Sequence, residues 1–301
     1  MQNKSLVTII CLCYNHEKFV IESLHSVICQ DYAFVELIIV DDCSTDNSKN
    51  KIKEWLVNYP KVAFIANKTN LGNTKSFNKA LKLAQGDYII DLAADDVLVP
   101  NCVSLQIKTF KESTFKNLGI VYGNAELITE KGKFDSYYFP ANHNRKTIET
   151  KQTGDIYLSV LSGIDSICSV SSMAKKTVYD SLNGYDEKLS YEDLDFWIRA
   201  SRIYEFDFID EILIKKRISK NSLTSNFYDN KKLGFKKINQ STYLILKKAI
   251  QLNRTKEEDL AIQKRVHHEI VHTFQIRDYG LFLKNIGLRF YLFWRTYFKK
   301  Y

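Results

Sequence analysis

The sequence predicts an α/β fold, a doubly wound and mainly parallel sheet followed by a helical, basic tail. Three observations predict it. Over the first hundred residues, short apolar runs rich in β-branched residues alternate with segments whose apolar residues recur at helical spacing. Each apolar run ends in a polar or acidic cluster. From Asp229 onward the composition turns helical and strongly basic.

The elements follow in order. "LVTIICLCY" is an unbroken apolar run, the mark of a strand covered on both faces. Between Glu17 and Gln30, Phe19, Val20, Leu24, Val27 and Ile28 share one helical face. "VELIIV" (35–40) is the second strand. "STDNSKNKIKEWLVNY" opens with capping residues and sets Ile52, Trp55, Leu56 and Tyr59 at helical spacing. "KVAFIA" is the third strand; Phe77, Ala80, Leu81 and Ala84 mark a third helix, stopped by Gly86. "DYIIDL" is the fourth strand. Beyond Pro100 come a helix through Val103, Ile107 and Phe110, strands in "LGIVYGNAELI", and a turn at "EKGK" (130–133). A polar loop (139–154), a strand in "SICSVSS", a helix in "EDLDFWIRAS" and a closing "DEILIKKRIS" complete a body of residues 1–228. Residues 229–301 form the tail.

With 301 residues, 45% hydrophobic and 26% charged, the chain can bury a globular core. The N-terminus lacks the pattern of a signal peptide, and no run of about 18 apolar residues is present to span a membrane. Six cysteines (Cys11, Cys13, Cys29, Cys43, Cys102, Cys168) lack paired metal spacing and are expected as buried free thiols in a reducing cytoplasm. The net charge of +8 is uneven: the tail holds 16 Lys and Arg against 6 Asp and Glu, the body 27 against 29. The basic excess therefore belongs to the tail's partner.

Ligands of such sheets bind beyond the carboxyl ends of the strands. There the sequence sets Tyr14-Asn15, Asp41 to Asp46, Asn67 to Gly72, and Asp95-Asp96 in "DYIIDLAADDVLVP". Neighbouring carboxylates repel, and burial costs each heavily unless a cation stands between them. Mg2+ or Mn2+ supplies that cation, binding through one or two carboxylates plus phosphate oxygens. A phosphorylated ligand follows, with the metal as Lewis acid on a departing diphosphate. The absence of G-x-G-x-x-G after the first strand, and of G-x-x-x-x-G-K-[ST], argues against a dinucleotide oxidoreductase and a P-loop NTPase.

These residues carry a resemblance. "VTIICLCYNHEKFVIESLHSVICQDYAFVELIIVDDCSTDNS", "NLGNTKSFNKALKLAQGDYIIDLAADD", "YEDLDFW" and "RISKNSLT" resemble, in order and spacing over roughly residues 5–225, a family 2 glycosyltransferase of the GT-A fold. The resemblance implies a nucleotide-binding half (1–100) and an acceptor-binding half (101–228). It implies that Cys13, Tyr14 and Asn15 stand at the nucleotide and that Asp42 meets the base. Asp95 falls at the ribose or metal shell, Asp96 on the metal, and Asp193 on the general base. Glu192 and Trp197 fall in the acceptor neighbourhood. Where the family carries a histidine near the diphosphate this chain has Ser219, so Arg217 and Lys220 are expected to serve the diphosphate. The implied reaction is inverting transfer of a sugar, commonly from a UDP-sugar, to a hydroxyl of a glycan or lipid-linked acceptor in bacterial surface polysaccharide assembly.

Two competing functions are a nucleotidyltransferase, for which "CLCYNHEK" is a poor phosphate loop, and a non-catalytic nucleotide-sugar-binding scaffold of a membrane assembly. Ordinary roles are expected for Asp46 as a helix cap, Asp195 as a solvated residue or partner of Arg199, and His16 as a surface residue. His268 and His272 are expected on an exposed tail helix rather than on zinc. From Leu281 to Tyr301, Leu283, Ile286, Phe290, Phe293, Trp294 and Tyr297 share one helical face, and Lys284, Arg289, Arg295, Lys299 and Lys300 the other. That pattern predicts peripheral attachment to the inner face of an anionic membrane, and no nucleic-acid reader module is present.

Overall fold

The computed structural model describes residues 5–164, 166–218 and 235–298. In chain order the elements are β1 (Val7–Cys13), α1 (Val20–Ile28), β2 (Val35–Asp41), α2 (Ser48–Leu56), β3 (Ala63–Ala66), α3 (Asn73–Leu81), β4 (Tyr88–Ala93) and β5 (Val97–Leu98). Then come α4 (Cys102–Glu112), β6 (Leu118–Ile128), β7 (Phe134–Tyr137), α5 (Tyr157–Ser162), β8 (Met173–Lys175), α6 (Lys176–Leu182), α7 (Asp193–Ser201) and β9 (Glu205–Arg217). The helices α8 (Phe235–Leu252), α9 (Lys256–Gln275) and α10 (Tyr279–Phe298) follow.

These elements gather into two compact units. The first holds all nine strands with α1 to α4 and α6; the second is helical. The helical unit is more than the tail, because α5 and α7 from the body belong to it as well.

The sheet of the first unit runs β3-β2-β1-β4-β8-β6-β9-β5, with β7 paired to β6. β1 lies parallel between β2 and β4, with Ile9 opposite Leu37 on one side and Ile90 on the other. Its residues Val7, Ile9, Ile10 and Cys11 are fully buried, as the unbroken apolar run predicts. Val20, Leu24 and Val27 of α1, and Ile52 and Trp55 of α2, are buried; Ile28, expected on the same face, is 42% exposed. Beyond β4 the sheet is mixed rather than mainly parallel. β8 runs antiparallel to β4 and to β6, and β5 antiparallel to β9.

Three local expectations change. The strand expected in "SICSVSS" begins only at Met173, while Ser169–Ser171 form a 3-10 turn. Ser171 explains it: its hydroxyl donates to the carbonyls of Gly123 and Cys168, replacing ladder bonds with side-chain bonds. The third helix ends at Leu81, well before Gly86. Gly86 is needed for closeness instead, since a Cβ there would stand 2.6 Å from both N and Oγ1 of Thr8. Of the six free cysteines, Cys29 is exposed and Cys43 half-buried rather than buried.

In the helical unit, α9 packs against α5, α8 and α10. Thr255 and Glu258 close a reciprocal capping box at its start. Asp195 is buried, paired to Arg199 at 2.7 Å and to Lys248 at 3.0 Å, rather than solvated. His272 is also buried, its Nε2 3.0 Å from Asn239 Oδ1, so it is no surface histidine. α10 turns Leu281, Asn285, Leu288, Leu292, Arg295 and Thr296 inward. Arg295, expected on the exposed basic face, is instead 4% exposed: its Nε donates to Asp259 Oδ2 at 2.7 Å and its Nη groups to the carbonyls of Ile250 and Asn253.

Candidate active site

β1, β2 and β3 step outward to one side of the sheet, and β4 returns to the other side of β1. The order reverses there, and such a reversal opens a crevice beyond the carboxyl ends of the strands. The loops that follow β1, β2 and β4, and the 67–72 loop after β3, carry the polar residues that the sequence gathers at this edge.

Asp42 organises that edge. Its Oδ1 accepts from Asn67 Nδ2 and from the Leu71 N–H, both at 2.9 Å, and its Oδ2 from the Gly72 N–H at 2.8 Å. Lys79 in turn donates to Asn67 Oδ1 at 2.8 Å. Gly72 has φ +83°, with no atom near its missing Cβ, so the left-handed backbone rather than crowding calls for glycine. Asn15, also at positive φ (58°), takes the Thr45 N–H on its Oδ1 at 2.8 Å and gives its own N–H to Ser44 Oγ at 3.0 Å. The β1 and β2 loops are thereby joined. Tyr14 is 44% exposed at this edge. Cys13 is buried, its carbonyl already accepting the Asp42 N–H, and burial pushes its thiol up to about 11. Its sulfur is therefore a neutral core group, and the exposed member of the pair is Tyr14. Asp46, expected as the helix cap, stands one residue before Asn47, the N-cap of α2; its Oδ1 accepts the Ser48 N–H at 2.9 Å and its Oδ2 the Glu17 N–H at 3.0 Å, so it ties the β1 loop to the start of α2.

Asp95 and Asp96 occupy the turn between β4 and β5. Asp96 is 3% exposed, and burial, with the Asp95 charge beside it, pushes its carboxyl up to about 8. His16 Nδ1 stands 3.7 Å from Asp95 Oδ1, so His16 belongs to this cluster rather than to the open surface. Arg217, at the end of β9, closes the turn. Its N–H donates to Asp96 Oδ1 at 2.8 Å and its Nε to the Asp95 carbonyl at 2.9 Å. Nη1 reaches the carbonyls of Thr129 and Glu130, and Nη2 reaches Glu22 Oε2 at 2.7 Å, with the guanidinium over the Phe19 ring. Four of its five donors thus hold protein groups, so Arg217 braces the acidic turn. Ser219 and Lys220 lie outside the described residues. Asp91, deeper in β4, accepts from Tyr185 O–H at 3.1 Å, and burial raises it to about 7.

The acidic pair fits a hard divalent cation. Asp96 is a carboxyl that burial disfavours as an anion until positive charge arrives, and Asp95 adjoins it. Among the described residues no three His, Cys, Asp or Glu side chains could hold an ion by themselves. Mg2+ and Mn2+ at phosphorylated ligands need only one or two.

Glu192, Asp193 and Trp197 belong to the helical unit. Asp193 begins α7, with the Leu194 N–H on its Oδ1 at 2.7 Å. Trp197 is buried against Phe196, ring centroids 5.1 Å apart, and is therefore a core residue. Beside Asp193 a cavity of about 230 Å³ is lined by Leu194, Thr242, Arg265, His268 and Glu269. Arg265 is fixed by the carbonyls of Val160 and Leu161, and burial pushes Glu269 up to about 7 against the pull of Arg265. Sequence reasoning gave the tail no part in a pocket.

Residues 8–173 match the family model described as glycosyl transferase family 2. The chain belongs to glycosyl transferase family 2. It is 32% identical over 222 residues to an uncharacterised glycosyltransferase of Methanocaldococcus jannaschii, covering 72% of each chain. It is 27% identical over 240 residues to chondroitin synthase of Escherichia coli, covering 78% of this chain and 32% of that one. It spans about a third of some other relatives, including 34% of an uncharacterised glycosyltransferase of Rickettsia conorii. Among solved structures, TarS 1-349 of S. aureus with UDP-GlcNAc aligns with TM-score 0.65 at 19% identity, over 87% of this chain and 72% of that one. The mannosyltransferase PcManGT of Pyrobaculum calidifontis, with GDP-Man and Mn2+, aligns with TM-score 0.60 at 13% identity, over 100% and 89%. Family 2 membership makes the chain a glycosyltransferase and sets aside the nucleotidyltransferase alternative.

Proposed function

We propose that this glycosyltransferase moves a sugar from a nucleoside-diphosphate donor, a UDP-sugar, to a hydroxyl of a glycan or lipid-linked acceptor, with inversion at the anomeric carbon. Surface polysaccharide assembly at a membrane is the proposed setting. The observation that carries the reading is the convergence of Asp42, Asn15 and the Asp95–Asp96 turn on the carboxyl edge at the sheet's reversal point. The relatives add support: TarS is seen with UDP-GlcNAc, PcManGT with GDP-Man and Mn2+, and one relative is a chondroitin synthase.

In this reading Tyr14, Asn15 and Asp42 hold the nucleoside, and Asp95 and Asp96 hold Mg2+ or Mn2+. When bound, the metal neutralises negative charge on the departing diphosphate. Arg217 keeps the Asp96 carboxyl and the Asp95 main-chain carbonyl in place. Asp193 takes the proton of the acceptor hydroxyl as its oxygen attacks the anomeric carbon opposite the leaving group. One displacement with one base inverts the centre without a covalent intermediate. Glu192 and the cavity beside Asp193 form the acceptor neighbourhood.

A panel of nucleotide-sugars, with Mn2+ or Mg2+, tests this by release of nucleoside diphosphate. Wild type should act on one donor only with metal, Asp96→Ala should bind the donor without turnover, and Asp193→Ala should lose transfer to acceptor. Metal-independent release, or full activity of Asp96→Ala, rejects the reading. Nucleotide-sugar binding without release, with any acceptor, points to the scaffold role.

A further inference from the structure

The helical unit carries a second concavity, a cleft of about 610 Å³ where the start of α8 meets the start of α10. This lies within the ~300–1,000 Å³ range of ligand sites. Four lysines line it, Lys188, Lys236, Lys237 and Lys284, and Asp278 is its one acid. Asp278 is already engaged, its Oδ1 accepting the Leu281 N–H at the start of α10. None of the four lysines has an ion-pair partner among the described residues. Gln240, Ser190 and Ser241 add neutral polar groups. All four are exposed, so water solvates their ammonium groups, and an anion entering the hollow meets four positive charges that no described carboxylate already holds. Lysine binds phosphate as a compact point charge with freely turning donors.

The neighbouring face of α10 indicates where such an anion sits. Leu283, Phe290, Phe293, Trp294 and Tyr297 are each more than half exposed, although they form one apolar stripe. Soluble surfaces rarely leave a contiguous aromatic patch of that kind without a partner. At 100° per residue, Lys284 falls on the seam between the buried face centred on Leu281, Leu288 and Leu292 and the exposed stripe of Leu283 and Trp294. The cleft and the stripe therefore share an edge. A basic pocket bordering an exposed aromatic stripe matches the boundary of a bilayer, where phosphate groups lie next to the first methylenes of the acyl chains.

We propose that the lysine cleft receives the phosphate of an anionic phospholipid headgroup while the aromatic stripe of α10 lies in the headgroup–acyl boundary. The inference rests on the membrane setting proposed above and uses no residue of the donor site. It adds a site and a chemistry to that setting: attachment selects phosphate-bearing lipids of net negative charge, and Lys188, Lys236, Lys237 and Lys284 make the selection.

The test is co-sedimentation of the full chain with phosphatidylcholine vesicles, with and without phosphatidylglycerol. Wild type should pellet with the phosphatidylglycerol vesicles, and binding should fall as salt screens the lysines. The triple variant Lys236→Ser, Lys237→Ser, Lys284→Ser should lose roughly a hundredfold in affinity for those vesicles. The double variant Phe290→Ser, Trp294→Ser should lose binding to every vesicle. Both variants should keep the wild-type thermal midpoint and wild-type nucleoside diphosphate release. Equal sedimentation of the lysine variant and wild type overturns the cleft; if the aromatic variant alone fails, the membrane setting stands without it. Wild type that ignores phosphatidylglycerol overturns both. If millimolar inorganic phosphate binds wild type but not the lysine variant, and vesicles add nothing, the cleft serves a soluble phosphate and the lipid proposal falls.

Discussion

The backbone N–H of Arg217 donates to Asp96 Oδ1 at 2.8 Å, joining residues 121 positions apart. The same arginine reaches the Asp95 carbonyl, two carbonyls of the β6–β7 turn and Glu22 of α1. The acidic turn is thus held from three directions by one side chain and its own backbone.

Arg217→Ala leaves the part-buried carbonyls of Asp95, Thr129 and Glu130 and the Glu22 carboxylate without their donor. It should cost about 2–4 kcal/mol of stability. Arg217→Lys cannot reproduce the planar fork and should recover less than half of that. Denaturant unfolding measures both. Donor-dependent nucleoside diphosphate release should fall at least tenfold in Arg217→Lys at a temperature where it remains folded.

Asp42→Asn exchanges an acceptor oxygen for an NH2 group that faces the N–H of either Gly72 or Leu71. The 67–72 loop should loosen at a cost of about 1–3 kcal/mol. Calorimetric titration with nucleoside diphosphate should report at least a tenfold weaker Kd. Unchanged affinity would remove Asp42 from the nucleotide site.

Gly86→Ala drives a methyl group onto Thr8, on a buried central strand. The backbone must shift, at about 1–3 kcal/mol. A lower Tm with unchanged nucleotide affinity is expected, because Gly86 precedes β4 while the site lies beyond the strand's other end.

Asp91 titrates at about 7 in the folded chain, against an ordinary carboxyl value near 4 in the unfolded one. The folded state therefore holds a proton that the unfolded state releases between those values. Its stabilising contribution is full below about pH 4 and is lost as pH rises through 7. Stability should fall by about 4 kcal/mol more across that window in wild type than in Asp91→Asn, which keeps an acceptor for Tyr185 without titrating. Parallel curves for the two proteins would contradict this.

Much of this was legible because burial on both faces leaves an unmistakable trace. β1, β2 and β4 are long, apolar and β-branched, and the acids at their ends stand out against them. The strands β5 and β8, two and three residues long, are too short to leave a periodic signal, and that concealed the mixed half of the sheet. Asp42 and Asp95–Asp96 could be found from local spacing. Glu22 could not, since on α1 it reads as any polar-face glutamate and its meaning comes from Arg217, 195 positions away. The same holds for Asp91 with Tyr185 and for His16 with Asp95. Arg295 was misplaced because a helical wheel assigns charge to the outside, whereas its guanidinium is solvated by Asp259 and two carbonyls.

That buried arginine bears on how the protein can be trimmed. Its partner Asp259 is fully inaccessible and also accepts from Asn253. A chain cut before Leu281 would keep that carboxylate in the interior while discarding the cation that balances it. Such a loss typically costs about 3–5 kcal/mol. The last helix therefore does not behave as a detachable anchor. It is a keystone of the helical unit, and a shortened chain made to remove its aromatic surface would report first on unfolding. Surface substitutions that spare Arg295 are the only clean way to ask what the outer face of α10 does.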